Sequence, residues 1–131
     1  MNRLQTLQNK LIKTLLCKQP LYSTDQLHRD LDILKVTDIH NSCVLQFVYN
    51  CINDPVPALE GYYTHRHETH NHNTRFQASI SINRYHTELG RSTTHNRGAI
   101  LWNTLNFDVT ATKTIHEFKN KIEKFYKSGY L

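Results

Sequence analysis

The 131-residue chain is poor in the residues that mark several specialised architectures. Its 4 glycines, at 61, 90, 98 and 129, are scattered, so no glycine-rich phosphate loop is present. Its 3 cysteines, Cys17, Cys43 and Cys51, form no Cys-x-x-Cys pair and cannot all pair with one another. That argues against a disulfide scaffold or zinc ribbon and suggests a reducing compartment. No apolar run reaches the roughly 18 to 20 residues that cross a bilayer, and the N-terminus lacks an apolar stretch of signal-peptide length. Neither a membrane partner nor export is therefore expected. Acids are few, 11 Asp and Glu against 16 Lys and Arg, for a net charge of +5. The one close acidic pair, Asp30 and Asp32, would point apart on a helix, so two-metal phosphoryl chemistry finds no converging carboxylates. No nucleophile stands with a base and an orienting acid, and no cofactor is expected.

What is there is enough for one core. A chain of this length buries about two-thirds of its unfolded surface, too little for two independent domains. From Asn2 to Cys17, Leu4, Leu7, Leu11, Ile12 and Leu15 recur at helical spacing, with Arg3, Lys10, Lys13 and Lys18 and no acid before Asp25. A mitochondrial presequence shares that pattern but favours Arg and Ser. After the breaker Gln19-Pro20, Ser23 with Gln26 reads as a capping box for a second helix ending near Ile33. Thr37 then opens a third, whose apolar stripe Ile39, Cys43, Val44, Phe47, Val48 and Cys51 runs to the breaker at Asn53-Asp54-Pro55. The cysteines read as small core hydrophobes. Residues 61–97 are polar and irregular, apart from an alternation over Phe76 to Tyr85 that suits a short extended segment. Gly98 to Leu105 predicts a two-turn helix capped within Ser92 to Thr94. Thr114-x-x-Glu117 caps the last helix, with Ile115, Phe118, Ile122 and Phe125 on one face and Lys119, Lys121, Lys124 and Lys127 on the other, ended by Gly129. The expected fold is mainly α, a small helical bundle with a long polar loop. A three-helix region 1–60, a His/Arg-rich region 61–97 and a C-terminal helical pair 98–131 form one structural unit.

Two clusters attract a chemical reading. His65, His67, His70 and His72 are imidazoles within eight residues, but they lie in one polar loop without a second arm of ligands. They read first as a solvated loop, with a metal-binding loop as the alternative. From Gly61 to Arg97 every basic residue is arginine, at 66, 75, 84, 91 and 97, interleaved with Tyr62, Tyr63, Phe76 and Tyr85. Arginine holds phosphate bidentately and aromatic rings stack on bases, so nucleic-acid contact and a plain soluble surface both remain open.

An ordered series of short motifs then carries a resemblance. Leu4-x-x-Leu7-Gln8-Asn9-Lys10, Leu31-x-Ile33-Leu34-Lys35-Val36-x-Asp38-Ile39, His72-Asn73-Thr74-Arg75, Gly98-x-x-x-Trp102-Asn103-x-Leu105 and Phe118-Lys119 span nearly the whole chain. Together they resemble the C-terminal, post-palm portion of reverse transcriptases (RNA-directed DNA polymerases) from non-LTR, LINE-like retrotransposons of the jockey and chicken-repeat type. The resemblance implies a non-catalytic thumb or tail segment that contacts a template-primer duplex. Its partners would be RNA, DNA or their hybrid, or an upstream polymerase palm, inside the cell in nucleus or cytoplasm. The family's Tyr-any-Asp-Asp motif has no match, so no catalysis by this chain is implied. His72 stands where the family commonly has Tyr, which weakens a stacking role there. Asn106 stands where Pro commonly follows, as in a drifted copy or a divergent clade. The expected backbone contacts are Lys10, Lys13, Arg75, Arg84, Arg91 and Arg97. Trp102 and Asn103 read either as a packing anchor with a hydrogen-bonded turn or as part of a nucleic-acid groove. A helical protein-interaction module, or a remnant without activity, is the alternative reading.

Overall fold

Helix-forming periods dominate the sequence, and the computed structural model, which describes residues 2–19, 21–69 and 79–129, is mainly α-helical. Its α-helices are α1 (Asn2–Leu15), α2 (Thr24–Asp30), α3 (Val36–Asn53), α4 (Arg66–Thr69), α5 (Glu88–Arg91), α6 (Thr94–Asn103), α7 (Phe107–Thr110) and α8 (Ile115–Ser128), with a 3-10 turn at Pro57–Leu59. The chain divides into two compact units, Met1–Ser42 with Asn120–Leu131, and Cys43–Lys119.

In the first unit, α1 and α2 end by the same device. Lys18 N–H donates to Lys13 O (2.9 Å) and Cys17 N–H to Thr14 O (3.2 Å), while Cys17 adopts φ 49°. Ile33 N–H donates to His28 O (3.0 Å) and Asp32 N–H to Arg29 O (3.1 Å), with Asp32 at φ 52°. Both are Schellman stops in which a residue other than glycine takes the left-handed position. The second stop ends α2 at Asp30, short of the predicted Ile33, and leaves Leu31 and Ile33 exposed. Ser23 stands at the α2 N-cap without the side-chain bond its capping box predicts. Gln26 instead donates to Asp30 (2.8 Å) and accepts from Arg29 (2.8 Å).

The leucines of α1 do not pack as the period predicts. Leu4, Leu7, Leu11 and Leu15 are 57%, 60%, 61% and 72% exposed, and Ile12 is the only buried residue of the stripe. The helix is held by amides instead. Gln8 Nε2 donates to Leu34 O (2.9 Å) and its Oε1 accepts from Val36 N–H (3.1 Å). Gln5 Nε2 donates to Gln8 Oε1 and to Asn9 Oδ1, each at 2.9 Å, and Asn9 Oδ1 also lies 3.1 Å from Nε2 of the buried His28. His28 Nδ1 reaches Ile33 O at 3.0 Å. Backbone groups at 34 and 36 thus fix the orientation of every amide in the chain of bonds, because a buried polar group left unpaired is costly.

The second unit carries the larger core: Val44, Leu45, Val48, Tyr49 and Cys51 from α3, Ala99 and Trp102 from α6, Val109 and Phe118, with Tyr63 and Ile80. Tyr49 stacks on Phe118 at 4.5 Å and its hydroxyl donates to Thr112 O (3.1 Å). Trp102 lies 5.6 Å from the same Phe118 ring. Burial pushes the Cys51 thiol up, but Cys17 and Cys43 are exposed, which corrects their reading as core residues. Ile39, on the predicted stripe, is exposed as well, since the buried face of α3 is centred on Leu45 and Val48.

The alternating segment begins outside the described residues; within them, Ile80 forms an isolated antiparallel bridge with His65, and 81–85 is neither helix nor strand. One-turn helices α4 and α5 occupy part of the region expected to be irregular. Thr87 caps α5 through Gly90 N–H (3.1 Å), Thr93 caps α6 through Asn96 N–H (3.4 Å) and Thr114 caps α8 through Glu117 N–H (3.3 Å).

Candidate nucleic-acid interface

The acid-free start of the sequence becomes a cationic cleft. Lys10 and Lys13 lie one turn apart on α1, and the left-handed residue Cys17 turns the chain so that Lys18 joins them. With Thr6, Asn9, Thr14 and Thr24 they line an open cleft of about 550 Å3. No carboxylate is among those residues. Lys10 and Lys18 are exposed and Lys13 half-buried. The Lys18 ammonium sits 5.3 Å from the centre of the Tyr22 ring, a cation–π contact. Asn9 Oδ1 is held by Gln5 and His28.

The nearest acid in sequence does not oppose this charge. Asp25 is bonded to Lys35 at 2.9 Å, and that hydrogen bond, with the charge behind it, holds its carboxyl below the ordinary aspartate range. A second cleft, of about 340 Å3, is lined by His28, Arg29, Asp32, Ile33, Lys124, Lys127 and Ser128. There Lys127 is bonded to Asp32 (2.6 Å) and Glu123 (2.8 Å), which push its ammonium pKa up and compensate its charge. Of the two clefts, the first combines lysines with a lining free of acids.

The other expected contacts are placed differently. Arg75 lies outside the described residues. Arg84 is exposed in the segment after Ile80. Arg91 closes α5, where its Nε donates to Tyr85 O (3.4 Å) and it lies 4.0 Å from Glu88. Arg97 is half-buried in α6. None of these three lines the lysine cleft. Lys18 belongs with the site although only Lys10 and Lys13 are singled out by sequence. Its signal was the same acid-free stretch, but its closure onto α1 depends on the turn at Cys17.

Trp102 and Asn103 take their structural roles. Trp102 is buried on Phe118, and the Asn103 amide bonds to the Ile80 backbone. In the histidine cluster, His65 is the partner of Ile80 in the bridge, while His70 and His72 lie outside the described residues. Among the described residues no group of three or more His, Cys, Asp or Glu is placed to hold a metal ion, and no helix is long and apolar enough to cross a membrane.

These features define a mainly α-helical protein with a lysine-lined cleft. No protein family, curated protein or solved structure matches the chain.

Proposed function

We propose that the chain is a non-catalytic, sequence-independent binder of nucleic-acid backbones, acting like the thumb or tail of a non-LTR retrotransposon reverse transcriptase on a template-primer duplex. The observation that carries this reading is the lysine cleft. Lys10, Lys13 and Lys18 converge on one concave surface whose lining holds no acid, and whose threonines and asparagine add hydroxyl and amide groups. Ammonium groups bind phosphates as point charges without reading bases. Lysine spacing along one helix suits successive backbone phosphates better than a single buried anion. The resemblance supplies the duplex as ligand; the cleft supplies the chemistry.

Anisotropy of a labelled RNA/DNA hybrid titrated with the full chain at several salt concentrations tests it. Affinity is expected to fall steeply with salt, and K10A/K13A/K18A to lower the log–log slope by about 0.9 for each phosphate no longer neutralised. A parallel R75A/R84A variant reports binding through the arginine-rich region. Absence of binding at low salt overturns the reading. An unchanged slope in the triple variant, with helicity intact by circular dichroism, moves the site elsewhere. The isolated chain is expected to polymerise nothing.

A further inference from the structure

An amphipathic helix of a water-soluble protein turns its apolar stripe inward. In α1 the arrangement is reversed: Gln8, Asn9 and Ile12 attach it to the rest of its unit, and Leu4, Leu7, Leu11 and Leu15 are exposed. Past the helix end Leu16, Leu21 and Tyr22 are exposed as well, Leu21 by 97%. A row of exposed apolar side chains on one helix face marks a docking face. Arg3 and Lys10 lie on the flank of the leucine row, Lys18 follows the helix end, and no acid occurs before Asp25.

We propose that this face docks on an anionic phospholipid surface, with α1 lying parallel to it. A second copy of the chain fits poorly, because it would bring the same cations and no carboxylate to meet them. A partner helix fits poorly too. Knobs-into-holes packing needs the 3.5-residue repeat, which Leu4, Leu7 and Leu11 follow, but the next position in register is Thr14, Leu15 falls outside the repeat, and Leu21 and Tyr22 lie beyond the end of the helix. A lipid boundary requires no register. It accepts leucines to shallow depth, an aromatic ring at headgroup level and lysines reaching to phosphates, and it rewards the positive charge. A helix lying on the surface needs neither the length nor the apolar content of a spanning one. Lys10 and Lys18 serve both this face and the lysine cleft, so hybrid duplex and anionic lipid compete.

The test is flotation of the full chain with vesicles of phosphatidylcholine alone and of phosphatidylcholine with phosphatidylserine, beside the duplex titration. Binding is expected only with phosphatidylserine. It should weaken about fivefold for each of K10Q and K18Q and about tenfold or more for L7Q/L11Q. L7Q/L11Q is expected to keep its helicity and its duplex affinity, which separates this face from the cleft. Several results overturn the proposal: no flotation with phosphatidylserine, equal flotation with both vesicles, full retention by L7Q/L11Q, or self-association that L7Q/L11Q abolishes in a chain that ignores vesicles.

Discussion

The side-chain amide of Asn103 meets the backbone of Ile80 at both ends: Nδ2 donates to Ile80 O and Oδ1 accepts from Ile80 N–H, each at 2.9 Å. On its other edge the same segment pairs with the chain around His65, through Arg66 N–H to Ser79 O and Ser81 N–H to Thr64 O, also at 2.9 Å. One side chain therefore does for Ile80 what a neighbouring strand would do. Asn103→Ala leaves two backbone groups unpaired beside a residue only 1% exposed. The expected cost is about 2 to 6 kcal/mol in urea unfolding, since each unpaired buried group costs about 1 to 3. Hydrogen exchange at the Ile80 amide should accelerate well beyond that of its neighbours.

Gly98 lies where a Cβ would overlap the Tyr63 hydroxyl and stand 2.7 Å from Val48 Cγ2. Tyr63 is buried, its hydroxyl donates to Thr94 O at 3.3 Å, and burial raises its pKa far above neutrality, so the phenol stays protonated. Gly98→Ala is expected to destabilise by about 1 to 3 kcal/mol through overpacking. Adding Tyr63→Phe should recover part of that loss, a coupling read from a double-mutant cycle.

Cys17 holds a left-handed conformation that glycine adopts freely, and its side chain is exposed. Cys17→Gly is expected to raise stability by about 0.5 to 1 kcal/mol, because the steric penalty at this position exceeds the extra chain entropy of glycine. Thermal or urea unfolding checks it. Lys18 should remain in the cleft, so duplex affinity is expected to stay unchanged.

The Asp25–Lys35 bond has a defined pH signature. The folded pKa of Asp25 lies below its ordinary 3.8, so its stabilisation is present above that value and lost as pH falls through the folded value. Both partners are partly exposed, so the contribution at neutral pH is about 0.2 to 1 kcal/mol after solvent screening. Asp25→Asn should be less stable than the parent at neutral pH, and the difference should shrink on acidification below the ordinary aspartate value.

Periodicity and caps make α1, α3, α6 and α8 legible in the sequence, and the Thr114 cap is bonded as its capping box predicts. Other features depend on contacts remote in sequence. The leucine period of α1 finds the helix but misassigns its packed face, because the attachment is made by Gln8 to backbone groups 26 and 28 residues away. The early end of α2 is set by a left-handed aspartate, for which glycine is the usual signal. The one-turn helices α4, α5 and α7 have too few residues for a period to register. For the site, Lys10 and Lys13 stand out by the absence of nearby acids, while Lys18 joins them through a turn that composition does not reveal.

Because α1 is fastened by the Gln8 and Asn9 amides, with Ile12 as its one buried apolar side chain among the described residues, lifting it away would wet hydrogen-bonding groups as well as hydrocarbon. Such an opening carries a smaller heat-capacity change and a shallower denaturant slope than global unfolding. The helix is thus a latch whose release is governed by polar solvation, and cooling or warming shifts it much less than it shifts the aromatic core around Phe118.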